Sequence, residues 1–275
     1  NIFYAIFAVV CYLICSGLVY LHHVVHGNMV RFHSGRVINN FSGQFRNRNL
    51  KIMGYWSFFI LLMFAGMIVQ FMLKSRFEKY SKVSLRSDMS GAEIAMKMMH
   101  DNGIYDVKVE CIEGQLTDHY NPATKTVNLS KSVYYGRSVA AAAVAAHECG
   151  HVVQHSVGYA PLKLRTALVP VVSFASNIMQ WILLIGILVV NTFPALLWLG
   201  IALFAMTTLF SFVTLPVEIN ASARAVRWLE TAGITDYETR PMAIDALKWA
   251  AYTYVIAAVS SLATLLYYIG IARRD

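Results

Sequence analysis

The chain has 275 residues, 57% of them hydrophobic and only 14% charged, and its mean hydropathy of +0.51 is too high for an ordinary water-soluble domain. An aromatic content of 13% excludes disorder. Cys11 and Cys15 sit inside an apolar run and Cys111 and Cys149 lie far apart, which excludes a disulfide framework. The net charge of +8 lies beside apolar segments, where anionic headgroups and topology account for it, so the expected partner is the lipid bilayer and not nucleic acid.

Five stretches are long enough to cross a hydrocarbon core: about 2–21, 54–73, 168–190, 194–215 and 249–271. None resembles a cleavable signal peptide. Residues 1–52 read as an N-terminal extension with one span, and 53–275 as the main body, with an extramembrane domain formed by about 74–165 together with 216–248. The third and fourth of these spans are joined only by Asn191, Thr192 and Phe193, so both polar segments must share one membrane face. Lys74, Arg76, Lys79, Lys82, Arg86, Lys163, Arg165, Arg224 and Arg227 lie on that face and favour the cytoplasm. The loop 22–53 conflicts with this, because it carries Arg31, Arg36, Arg46, Arg48 and Lys51 with no acidic residue. An initiator at Met53 would resolve the conflict and leave 1–52 outside the native protein. His22, His23, His26 and His33 in this region are expected to be interfacial.

Within the first polar segment, 116–120 and 125–129 alternate in polarity around Asn121-Pro122-Ala123-Thr124 and predict a β-hairpin. It could hold an extended peptide as an added strand or only close the domain. Asp118 and His119, as strand neighbours, face opposite ways and are not expected to share a second metal. The hairpin precedes the most informative run, 136–155, in which His147, Glu148 and His151 form H-E-x-x-H.

Alanines through 140–146 make this run helical, and residues four apart share a helix face, so both imidazoles can reach one zinc ion. Glu148, about 100° round the helix, lies beside the metal, where its carboxylate can act as general base toward an activated water. Gly150 leaves room for close packing. Cys149 is expected to be a small buried residue. A catalytic zinc keeps three protein ligands. His155 continues the stripe, but eight residues of straight helix is about 12 Å, too far for one ion. Glu218 is the better third ligand: it follows the fourth span, on the same membrane face, and Pro216 is expected at the start of a new helix that presents it. An ordinary acid at a helix N-terminus is the alternative.

In these motifs the chain resembles the YugP-like membrane zinc metallopeptidases, and more distantly HtpX and the CAAX prenyl proteases. The resemblance runs from about Tyr55 to Asp275 and includes LTDHYNP at 116–122, KTVNLS at 125–130, the H-E-x-x-H helix, YAPLKLR at 159–165 and LPVEINAS at 215–222. It implies one zinc held by His147, His151 and Glu218, Glu148 as general base, and peptide-bond hydrolysis at or in a bacterial-type membrane. The HtpX pattern has Asp where this chain has Ser222, so Asn220 or Ser222 either orients a ligand histidine or is an ordinary polar residue on a helix surface. Tyr252, Tyr254 and Arg224 are the candidates for stabilising a tetrahedral intermediate. A polar stripe of Ser173, Ser176, Asn177 and Gln180 in the third span must face protein or water.

The expected fold is therefore mainly α, integral to the membrane and multi-span, with a gluzincin-like zinc helix and a small β element. The expected function is zinc-dependent endopeptidase. A zinc-binding but inactive membrane scaffold, and a zinc hydrolase of a non-peptide amide, are the alternatives.

Overall fold

The computed structural model describes residues 38–273, and their side chains from 57 onward; the expected span 2–21 and His22, His23, His26 and His33 lie outside the described residues. The elements in chain order are α1 (Ile38–Tyr80), α2 (Gly91–Asp101), β1 (Lys108–Ile112), β2 (His119–Asn121), β3 (Thr126–Ser130), α3 (Lys131–Tyr134), α4 (Val139–Ser156), α5 (Ala160–Leu188), α6 (Pro194–Thr231) and α7 (Thr239–Ala272). Among the described residues, four helices are long and apolar enough to cross a membrane: Ser57–Tyr80, Ala160–Leu188, Pro194–Thr231 and Thr239–Ala272. The chain is a multi-span helical membrane protein with one small sheet.

Two expectations about helix ends are corrected. The loop 22–53 is helical from Ile38 onward, continuous with the next span; this stretch has no proline, and Arg, Gln, Leu, Lys and Met are good helix formers. Pro216 starts no new helix, because α6 passes through it unbroken. A proline in a membrane helix is tolerated where side-chain hydroxyls and neighbouring helices take up the freed backbone groups. The carbonyl left without its helical N–H partner is that of Phe212, four residues before the proline.

The chain divides into two compact units. One comprises Ile68–Val169 and Phe210–Val255. Its core packs Ile94, Met98 and Met99 of α2 with the alanines of α4 and with Val127 and Leu129 of β3. Ser90 caps α2 in a capping box with Glu93. The sheet has strand order β1-β3-β2. The expected hairpin is β2 against β3, its first strand shortened to three residues and its second keeping five but shifted by one, with Tyr120 opposite Val127. Asn121 Oδ1 closes its turn by accepting from Ala123 N at 3.0 Å. Strand β1, not expected from the sequence, adds to β3 in parallel, Lys108 opposite Thr126 through Ile112 opposite Ser130.

The other unit comprises the described parts of Asn1–Met67 and Ile256–Asp275, with Pro170–Leu209. Leu183, Ile187, Leu197, Ile201, Phe204 and Tyr268 form its core. A Cβ on Gly186 would lie 2.8 Å from Leu197 Cα, so glycine is what lets α5 and α6 approach here. Leu61, Phe64, Trp181, Leu199 and Leu266 are exposed. The stripe of Ser173, Ser176, Asn177 and Gln180 is also exposed on α5 rather than buried between helices.

Candidate active site

Two helices build the site by an unusually close approach. Helix α4 begins at Ser138, whose hydroxyl accepts from Ala141 N, and its residues Ala140–Ala143, Ala145 and Ala146 are all buried. Small side chains let neighbours come near. At Gly150 a Cβ would lie 2.6 Å from the Ala221 carbonyl oxygen of α6, a separation that only glycine permits.

This crossing sets Glu218 and Ser222 of α6 against His147 and His151 of α4. The two imidazoles are 4.9 Å apart and nearly perpendicular. Glu218 Oε2 lies 3.2 Å from His147 Nε2 and 3.5 Å from His151 Nε2. Donor atoms of all three residues fall within 4.8 Å of one another. A tetrahedron with metal–ligand bonds of about 2.1 Å has an edge of about 3.4 Å, so two nitrogens and one carboxylate oxygen at these separations fit zinc.

The outer contacts orient every donor. His147 Nδ1 is 3.0 Å from Ser222 Oγ, and His151 Nδ1 is 3.0 Å from Gln154 Oε1. With Nδ1–H donating to these oxygens, both Nε2 atoms are free to face the carboxylate. Gln154 is wholly buried and donates to Val217 O at 2.8 Å and to Asn220 Oδ1 at 3.0 Å. Asn220 Oδ1 also accepts from Arg224 Nε at 2.8 Å. Arg165 Nη1 pairs with the other Glu218 oxygen, Oε1, at 3.3 Å. Burial disfavours the His151 imidazolium, but the Glu218 carboxylate outweighs it and raises the net proton affinity above the ordinary histidine value.

Glu148 stands beside this cluster and is itself buried. Its Oε2 accepts from Tyr120 N at 3.0 Å. Since N–H and C=O of one strand residue point the same way, the outer edge of β2 faces Glu148. His147, Glu148 and Glu218 line one cavity of about 140 Å³. Asp118 lines it too, its carboxylate accepting from Ser130 N and Oγ at 2.7 and 3.0 Å, while burial raises its pKa.

The family described as "Putative neutral zinc metallopeptidase" matches residues 55–273. The chain belongs to this zinc metallopeptidase family. Among curated proteins, the "Putative membrane protease YugP" of Bacillus subtilis (strain 168) is 46% identical over 202 residues, covering 74% of this chain and 89% of that protein. No solved structure matches the chain.

Against this family background, the structure sorts the residues singled out in the sequence. His155 stays away from the cluster, its Nδ1 lying 2.9 Å from Tyr120 Oη. His119 faces away from Asp118 and toward Asn128, 3.3 Å from its amide nitrogen. Cys149 is buried against Ala95 O, and burial pushes its thiol far above the ordinary range. Of the three candidates for an oxyanion group, Tyr254 lines the cavity, Tyr252 packs edge-to-face with Trp249 and Arg224 is bonded to Asn220. Sequence reasoning missed Gln154 and the role of Arg165. Gln154 follows His151 by three residues, one turn along the same face, and that spacing is the signal that could have found it.

Proposed function

We propose that the chain is a membrane-embedded zinc endopeptidase in which His147, His151 and Glu218 hold one catalytic ion and Glu148 is the general base. The observation that carries this reading is the Glu148 carboxylate, which lines the same cavity as His147 and Glu218 but stands outside the three-donor cluster. Bound there, zinc would lower the pKa of a water toward neutrality and polarise a scissile carbonyl.

The chain's own residues have distinct tasks. Tyr120 N–H fixes one oxygen of Glu148. The other oxygen takes a proton from water as the water oxygen bonds the carbonyl carbon. The C–N bond then breaks, and Glu148 passes the proton to the departing amine. Ser222 and Gln154 hold the two imidazoles in the tautomer with Nε2 inward. Arg165 engages Glu218 Oε1, leaving Oε2 to face the histidines. The outer edge of β2 offers main-chain groups to an extended peptide beside Glu148. The basic residues of the polar segments favour a cytoplasmic face for this site in our reading.

Digestion of an unfolded protein by the purified chain in detergent tests the reading. Cleavage stops with a chelator, returns with zinc, and is absent in His151→Ala, which also loses the metal. Cleavage that survives complete metal removal would overturn it.

A further inference from the structure

The cavity beside Glu148 has a second wall that the hydrolytic chemistry does not use. It is supplied chiefly by α7, where Leu247, Ala250, Ala251 and Tyr254 recur at the i, i+3, i+4, i+7 spacing of a single helix face. Val144 of α4, one turn before His147, and Leu116 complete it. Leu116 is exposed and held at φ +55°, a left-handed conformation uncommon for a leucine. Apart from the Tyr254 hydroxyl, this wall is hydrocarbon.

Resting on the peptidase reading, we propose that this wall is a specificity pocket for a medium-sized aliphatic side chain, such as that of Leu, Ile, Val or Met, on a residue flanking the cleaved bond. Three observations lead there. The first is size: at about 140 Å³ the cavity is slightly smaller than the roughly 150 Å³ space that takes a benzene ring, and a reacting water claims about 30 Å³ of it. An indole, larger than benzene, is disfavoured. The second is charge. Glu148, Glu218 and Asp118 stand on the polar side of the cavity, which disfavours an acidic substrate side chain. For a basic one, Asp118 is a carboxylate already engaged by Ser130, its Oδ1 accepting from both Ser130 N and Oγ and its Oδ2 from Ser130 Oγ at 3.2 Å. The third is the pair Ala250 and Ala251, whose lack of side-chain bulk on the α7 face leaves the space open; a larger residue at either position would fill it.

The test uses two probes on the zinc-loaded full chain in detergent. One is a pair of peptidyl hydroxamates, identical except that one carries an isobutyl group and the other hydrogen at the position next to the zinc-binding group. The isobutyl compound should bind on the order of tenfold to a hundredfold more tightly. Ala251→Leu, and independently Ala250→Leu, should abolish that ratio while zinc content stays at one ion per chain. The second probe is a mixed peptide library whose cut sites are sequenced. Wild type should show one flanking position enriched in Leu, Ile, Val and Met, and both variants should shift it toward Ala and Gly.

Each outcome is decisive for one of the two readings. Equal binding of the two hydroxamates by wild type, or a wild-type ratio that survives both alanine substitutions, overturns the pocket and leaves the zinc site standing. A library preference for acidic, basic or indole side chains at that position also overturns it. If neither hydroxamate binds although zinc is present, the peptidase reading fails as well.

Discussion

The two units of the chain solve opposite packing problems. The unit containing Pro170–Leu209 keeps an apolar core around Leu183 and Tyr268, yet leaves Leu61, Phe64, Trp181 and Leu266 more than half exposed. Such a surface is costly in water and unremarkable in hydrocarbon. The unit containing α2, α4 and the sheet does the reverse. Its alanine-rich core buries Glu148, His151, Gln154 and Glu218, and each of them has a named polar partner. Close helix approach through glycine is common to both, at Gly186 in one and Gly150 in the other. What differs is what the approach brings together: apolar side chains in the first case and metal-binding groups in the second.

The largest effect expected from breaking this contrast lies in the buried polar network. Gln154→Ala should weaken zinc binding by about 10- to 100-fold, more than Ser222→Ala, because Gln154 ties His151 Nδ1 to two acceptors on α6, Val217 O and Asn220 Oδ1, whereas Ser222 makes a single contact with His147. Zinc titration against a competing chelator measures both. Next come the glycines. Gly150→Ala and Gly186→Ala should each cost about 1–3 kcal/mol in unfolding, but only Gly150→Ala should lower zinc affinity. Equal loss of zinc in both would mean that the two units do not have separate jobs.

A smaller contrast concerns the apolar surface itself. Leu183→Ala removes a buried side chain and should cost about 2 kcal/mol or more in detergent, while Leu61→Ala, at an exposed position, should stay within about 0.5 kcal/mol. The smallest effect belongs to the cap of α2. Hydrogen bonding from Ser90 holds the Glu93 carboxyl below its ordinary pKa of 4.5, so its contribution is present above that value and lost as the pH falls through the lower folded one. Glu93→Gln should flatten the pH dependence of unfolding in that acidic window and leave it unchanged at neutral pH.

Much of this architecture could be read from local pattern. Long apolar runs reveal spanning helices because lipid demands them. His147, Glu148 and His151 share one helix, so their spacing carries their geometry. Glu218 was reachable by topology, since the hairpin at Asn191–Phe193 returns α6 to the face that carries α4. Other features had no local signature. The parallel pairing of β1 with β3 joins segments separated by β2 and its turn. Pro216 reads as a helix start because local sequence does not show that a long membrane helix tolerates a proline in its interior. Gln154 looks like any polar helix residue until its two partners on α6 are in place, and Arg165 resembles any basic residue flanking a span until it meets Glu218.

The central claim is that Glu148 moves the proton while the cluster beside it holds the metal. Cleavage of an unfolded protein by zinc-loaded wild type and by Glu148→Gln, with the metal content of both measured, tests it most directly. The account predicts equal zinc and a rate lower in the variant by at least about 10²-fold. Equal rates at equal zinc would contradict it.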